Sequence, residues 1–377
     1  MTQFELRAEN GRVLSTKTKA PGASYYSELL SKVKEAGLLK RSASFYAWYF
    51  AIVTALSLAA WFGVFFIGQS FPDDFWIPLL ITIPVAVFQG ALTAQYGFIA
   101  HELAHSQVFA NRKLNDWGGL VVANLFAGLS YGFWLAKHNR HHAKPNMIEG
   151  DPDIDLRVLA FSTEQKYEKP STERFLTKFQ GWLFPVISLF TAGDLLLDSL
   201  KSVTRKDGRG ANRRFLELAM LVVRFAVPMT LFMVFLGPLS GIIIWAIYMM
   251  AFGAFMGNAF AVNHIGMPLV EKGSRIGFLE RQVLTSRNIK PSWITDMMMG
   301  GLNYQVEHHL FPSMARPSLK EARRMTIEFC REKGIKYTEV SFAKGYKDVL
   351  LFLNNVGMST KVDPFVCPIV ATYRQTA

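Results

Sequence analysis

The chain has 377 residues, half of them hydrophobic, with 31 Phe, 15 Met and 8 Trp. Its mean hydropathy is positive although 19% of its residues are charged, which excludes an ordinary soluble domain and points to an integral membrane protein with sizeable polar parts outside the bilayer. The net charge of +12 fits Lys- and Arg-rich loops facing anionic lipid rather than nucleic acid, and two cysteines, Cys330 and Cys367, are too few for a disulfide framework and are not in a metal-binding spacing.

Residues 1–41 are polar and charged, with no early apolar core to act as a signal peptide. Within them, Tyr25–Leu39 (YYSELLSKVKEAGLL) sets apolar residues at helical spacing between charges. It reads either as a helix lying on the membrane surface or as an ordinary soluble amphipathic helix. From Ser42 to Asn111 there is no Lys or Arg. This window holds two apolar runs, 45–68 and 75–100, separated by QSFPDD. At about 1.5 Å per residue each is long enough to cross a bilayer core of about 30 Å. The acidic turn then lies outside and the basic N-terminus inside, so His101 falls where the second span re-emerges on the cytoplasmic side.

Gly118–Ala136 and Gly181–Leu197 are apolar but interrupted by Gly, Ser or Asp, and are expected to be interfacial or re-entrant. A second pair of spans follows at 215–236 and 240–262, joined by a tight GPL connection. Arg224 is the one basic residue inside a span, which calls for a partner or a function. Gly253-x-x-x-Gly257 is a small-residue helix-packing motif. After Pro312 the chain turns polar. Ser318-x-x-Glu321 is expected to cap a helix through about Arg331, and Lys344–Leu353 suggests another. The chain thus divides into an N-terminal cytoplasmic or interfacial segment (1–41), a membrane domain (42–315) and a C-terminal helical tail (316–377).

All eight histidines fall near the expected cytoplasmic ends of the spans: His101 and His105 in HELAH; His138, His141 and His142 in HNRHH; His264; and His308 and His309 in QVEHH. His101 and His105 share a helix face, and at least two of HNRHH do the same. Taken alone, HELAH is the zinc-protease signature with Glu102 as general base. That reading leaves the other two clusters without a purpose. A metal transporter or sensor would instead require a polar path for ions through the spans, where Arg224 is the one basic residue. One zinc takes three or four protein ligands, so eight imidazoles suit two metals. Nearly all-neutral nitrogen donors fit iron that binds and reduces dioxygen.

HELAH, HNRHH and NYQVEHHLFP resemble the three histidine boxes of membrane fatty acid desaturases, H-x-x-x-H, H-x-x-H-H and [HQ]-x-x-H-H. The likeness runs in order over residues 40–340 and includes DPDI at Asp151–Ile154. It implies an all-α integral membrane fold, four transmembrane helices in two hairpins, with a cytoplasmic helical cap holding a di-iron site. The iron ligands would be His101, His105, His138, His141, His142, His264, His308 and His309. Gln305 stands where the acyl-CoA branch of the family has His; it would bind weakly, orient water or support the site. Glu102, Asn263, Glu307 and the pair Asp151 and Asp153 would accept hydrogen bonds from the ligand imidazoles.

The implied reaction uses O2 as co-substrate and places a double bond, by family habit cis, in a long acyl chain carried as a CoA thioester or membrane lipid. Hydroxylation of the acyl chain on the same scaffold is the sibling reaction. Arg140, Lys144, Lys201, Arg205, Lys206, Arg213 and Arg214 form a basic surface for lipid headgroups or a CoA phosphate. With no spare His for a fused cytochrome domain, electrons are expected from a separate ferredoxin- or cytochrome-type donor with its reductase. The expected setting is a bacterial cytoplasmic membrane, with the site and both termini facing the cytoplasm.

Overall fold

The computed structural model describes residues 13–14, 22–205 and 211–360, almost all of the ordered elements being helices. Lys206 and Cys367 lie outside the described residues, as do the remainder of the first 21 residues and the stretch after residue 360. Among the described residues, four helices are long and apolar enough to cross a membrane: Ala43–Ser70, Trp76–Ala104, Asn212–Leu236 and Pro238–His264. Two of them run past the ends expected from apolarity into the histidines. The second continues through HELA, and the fourth carries His264 as its last residue. Glu, Leu and Ala are strong helix formers, so apolarity stops at Ala100 but helicity does not.

Helix Trp76–Ala104 packs on Pro238–His264 through close backbone approach. A Cβ at Gly90 would sit 2.7 Å from Ala251 Cβ and 2.8 Å from the Phe252 amide nitrogen. Such contact holds helices together in lipid, where apolar burial gives no net drive. Trp48, Phe62, Phe66, Leu80 and Val234 remain exposed on the outer faces, as lipid-facing side chains would.

The two interrupted stretches each form a pair of helices meeting at a sharp bend, the form taken by a broken span or a re-entrant loop. Arg112–Ala127 meets Tyr131–Ala143 at 107°, and Gln180–Leu189 meets Thr191–Thr204 at 67°. At the first bend, Gly128 adopts φ +86° and the Ser130 side chain caps the next helix by accepting from the Phe133 amide. Into the second bend fits the Gly253-x-x-x-Gly257 face: a Cβ at Gly253 would lie 2.5 Å from the Leu189 carbonyl oxygen, and one at Gly257 2.7 Å from Thr191 Oγ1. The motif serves helix contact, as its spacing suggested. Arg224 is buried. Its Nε donates to the Phe126 carbonyl at 2.6 Å and an Nη to the Tyr248 hydroxyl, so a charge inside a span is met by oxygens rather than by a carboxylate.

The N-terminal amphipathic helix, Gly22–Glu35, buries Leu29 and Val33 against Leu279, Val283, Leu310 and Phe329. Its apolar face is covered by protein rather than laid on a membrane. The helix expected from Ser318 starts earlier, at Arg316, with Ala315 before it and no side-chain cap. Pro317 in the first turn is pre-set for a helix start and takes over from the cap. The last described helix is Phe342–Met358, longer than expected and capped by Ser341. Cys330 is buried, and burial pushes its thiol up to about 12. Short parallel strand pairs join distant loops: Val13–Leu14 with Leu269–Val270, and Asn288–Ile289 with Glu339–Val340.

The close approach at Gly253 makes a specific prediction. Gly253→Ala drives a methyl group into the Leu189 carbonyl and should lower stability by about 1–3 kcal/mol, as overpacking does. Gly193→Ala, at an exposed helical position with nothing within 4 Å, should leave stability unchanged or slightly raised. Thermal unfolding of the two variants in detergent checks the contrast.

Candidate metal centre

Four helices bring the histidines together. His101 sits in the last turn of Trp76–Ala104 and His105 at its C-cap; HNRHH closes Tyr131–Ala143; His264 ends Pro238–His264; His308 and His309 lie on Gln305–Leu310. Six are buried, and His105 and His142 are half-buried. They divide into two groups. In one, ring nitrogens of His101, His105, His138, His142 and His308 lie within 4.8 Å of one another; in the other, those of His141, His264 and His309 do so.

The first group is crowded nitrogen to nitrogen. His138 Nε2 stands 3.0 Å from His101 Nε2, 2.9 Å from His105 Nε2 and 3.0 Å from His142 Nε2, and His308 Nε2 stands 3.0 Å from His142 Nε2. A neutral imidazole has one N–H, so mutual hydrogen bonding cannot satisfy such a cluster. Nitrogens bound about 2.1 Å from one ion and at right angles stand roughly 3.0 Å apart, whereas a tetrahedral set stands roughly 3.4 Å apart. Five donors at this spacing fit an ion of higher coordination number better than tetrahedral zinc. His309 Nε2 and His142 Nδ1 are buried without a hydrogen-bond partner. Burial first, then the neighbouring imidazoles, hold His308 and His309 well below the ordinary histidine range. Neutral rings are the form in which histidine binds a metal.

Behind the second group lie acceptors. His141 Nδ1 faces both oxygens of Asp151 at 2.9 and 3.0 Å and Asp153 at 3.4 Å. Asp153 in turn takes the Lys137 ammonium at 2.5 Å. His264 Nδ1 faces the Thr285 carbonyl at 3.2 Å, and His309 Nδ1 faces Gln282 Oε1 at 2.9 Å. Gln305 stands with its amide 2.9 Å from His264 Nε2. Trp134 stacks on His138 at 4.3 Å between ring centroids. Gln282, Thr285 and Trp134 were not anticipated: none lies in a box, and a lone Gln, Thr or Trp carries no metal-site signal in a sequence.

Three expected acceptors do other work. Both oxygens of Glu102 take the Arg316 guanidinium, at 2.7 and 2.8 Å, and Arg316 lies over the Tyr49 ring at 4.5 Å. A protease base would need that carboxylate free to face a metal-bound water. Asn263 donates to the Ala259 and Leu302 carbonyls and, at 3.3 Å, to Gln305 Oε1, touching no imidazole. Glu307 accepts from Asn288 Nδ2 at 2.7 Å and from the Tyr337 hydroxyl at 2.9 Å, which anchors the box-three helix to segments before and after it. Burial pushes its carboxyl up to about 7 against the pull of those hydrogen bonds. Of the basic residues, Arg140 and Lys144 are exposed on and just after the box-two helix. Lys201 pairs with Asp198 at 3.2 Å, Arg213 lies 3.8 Å from Glu217, and Arg214 donates to the Arg205 carbonyl.

Residues 75–341 match the fatty acid desaturase family. The chain is 31% identical over 345 residues to a delta(6)-fatty-acid desaturase of Caenorhabditis elegans, covering 88% of this chain and 74% of that protein. It is 32% identical to an acyl-lipid (9-3)-desaturase of Physcomitrium patens, over 70% of this chain and 51% of the relative. A delta 8-(E)-sphingolipid desaturase of Candida albicans is 28% identical, over 74% and 50%. The chain thus spans about half the length of the last two. Their names agree on desaturation and differ in substrate.

The buried Glu102–Arg316 pair yields a second prediction. Arg316→Met leaves a carboxylate buried and unpaired, which should cost about 3–5 kcal/mol. Glu102→Met/Arg316→Met, which removes both charges, should recover most of that loss. Melting curves of the single and double variants decide it: equal losses in both would mean that the loss does not come from an unpaired buried carboxylate.

Proposed function

As a chain that belongs to the fatty acid desaturase family, this protein is, we propose, a membrane-bound, oxygen-dependent desaturase that introduces a cis double bond into a long acyl chain at a centre of two irons. The observation that carries this reading is the division of all eight imidazoles into one group of five and one of three, with none left over. His101, His105, His138, His142 and His308 would hold one iron. His141, His264 and His309 would hold the other, with Gln305 beside them. When bound, the iron pair would supply dioxygen activation and hydrogen abstraction from an unactivated methylene pair.

The protein's part is orientation and exclusion. Asp151 and the Thr285 carbonyl hold protons at the Nδ1 atoms of His141 and His264, which leaves Nε2 of each ring as a lone pair turned inward. Burial of six of the eight rings keeps water from the centre. The apolar helices Trp76–Ala104 and Pro238–His264 end at the histidines, so an acyl chain lying among them reaches the centre without leaving an apolar medium. The carrier is a CoA thioester or a membrane lipid. Electrons come from a separate ferredoxin- or cytochrome-type protein with its reductase, the half-buried edges of His105 and His142 being the solvent-facing side of the centre. The histidine ends of the spans face the cytoplasm, the side favoured by the basic loops. The relatives named above come from a nematode, a moss and a fungus, so they lend no support to a bacterial membrane.

Expression in a host lacking the product, with a competent donor, should give new cis-unsaturated acyl chains whose double bond is located by mass spectrometry. Unchanged acyl chains would overturn the proposal, and hydroxylated chains would replace it with the sibling reaction. Purified protein should carry two irons per chain. His264→Ala should lower this to about one, whereas one zinc per chain in the unaltered protein counts against the reading.

A further inference from the structure

The seven-residue helix Phe278–Leu284 contains no histidine and no part of the three boxes. Yet its Gln282 is fully buried between two of them. Its Nε2 donates to the backbone carbonyl of His142 at 3.0 Å, and its Oε1 faces His309 Nδ1 at 2.9 Å. These contacts fix the amide and the ring together. A carbonyl oxygen only accepts, so the amide nitrogen must face His142, and Oε1 is left for His309. An amide oxygen also only accepts, so His309 Nδ1 carries the proton. His309 Nε2 is then a lone pair. It is the same buried atom that finds no hydrogen-bond partner in the protein, and its ring belongs to the group formed with His141 and His264.

We propose that Gln282 is a positioning residue that sets the tautomer and ring plane of His309 and ties that ring to the backbone carrying His142. The inference rests on the metal centre proposed above and assigns it a residue outside the histidine boxes. One amide thereby touches a member of each imidazole group: the ring of one in the group of three, the backbone of one in the group of five. The segment is held firmly enough for this. Leu279 and Val283, on the same short helix, are fully buried against the N-terminal helix and Leu310. Thr285, one residue past the helix, backs His264. Two of the three imidazoles in the smaller group are therefore oriented from this one stretch. They differ from His141, which a carboxylate backs: a neutral acceptor on Nδ1–H leaves the ring a weaker donor than a charged one does.

The test uses the full chain in detergent and reads iron, not turnover. Gln282→Met removes acceptor and donor at similar volume. It should weaken retention of one of the two irons 10–100-fold in chelator competition while leaving the other iron unaffected. Gln282→Glu keeps an acceptor for His309 and should restore retention, with the Mössbauer signal of one iron shifted by the stronger donor and that of the other unchanged. Iron retention equal to the unaltered protein in a folded Gln282→Met, or equal loss in both variants, would overturn the inference. If Gln282→Met does not fold, Gln282→Glu decides alone: an unshifted spectrum overturns the assignment and a shift confined to one iron supports it. Absence of iron from the unaltered protein would overturn the proposed centre itself, an outcome distinct from all of these.

Discussion

A neutral imidazole has one proton and two nitrogens, and the structure is organised around where that proton goes. Eight such rings meet within a buried volume, five of them with Nε2 atoms about 3 Å from a neighbour's. An outer N–H left buried without an acceptor costs about 1–3 kcal/mol, a cost that the smaller group avoids and that His142 Nδ1 in the larger group bears. In the smaller group the three acceptors are chemically different: the Asp151 carboxylate, the Thr285 carbonyl and the Gln282 amide. Each comes from a loop or short helix outside the histidine boxes. The polar segments between and after the spans are therefore the support of the centre.

That support is tied to the membrane helices by a few long-range contacts. Arg316 reaches across from the start of the helix Arg316–Glu332 to Glu102, one residue after His101, and so couples the first box to the segment following the third. Asn146 donates from the second-box loop to the carbonyls of His264, Pro268 and Thr285. Gln107 donates to the Pro312 carbonyl and accepts from the Tyr46 hydroxyl. With these links in place, no box can shift without moving another. Buried polar networks of this kind are stiff only when nearly every member is satisfied, which the anchoring of Glu307 by Asn288 and Tyr337 also illustrates.

What the sequence disclosed follows from the range of each interaction. The boxes were legible because their spacing of three and four is that of a helix face, and the spans because apolarity over twenty residues needs no partner. The role of Asp151 was within reach, ten residues after His141 in the loop that follows its helix. Glu102 was misread because its partner lies 214 residues away, and at short range its only visible neighbours are His101 and His105. Asn263 was misjudged for a similar reason: it adjoins His264 in sequence, but along a helix neighbouring side chains point apart. Gln282 left no trace, since its identity as a support exists only once two boxes flank it.

The division of labour between lipid and protein explains why the centre sits where it does. Within the bilayer the helices gain nothing from apolar burial against one another, so their registry rests on close contacts such as Gly90 against Ala251 and Gly253 against Leu189. Those contacts fix the heights of His101 and His264, each at or near the end of a span whose helix outlasts its apolar run. At that height, side chains can be oriented by hydrogen bonds that the bilayer interior would make expensive, yet apolar helix surface begins one turn away. A centre built there can have both what imidazole demands, a polar outer shell, and what an acyl chain demands, an approach without water. Neither requirement could be met deeper in the bilayer or further out in the cap.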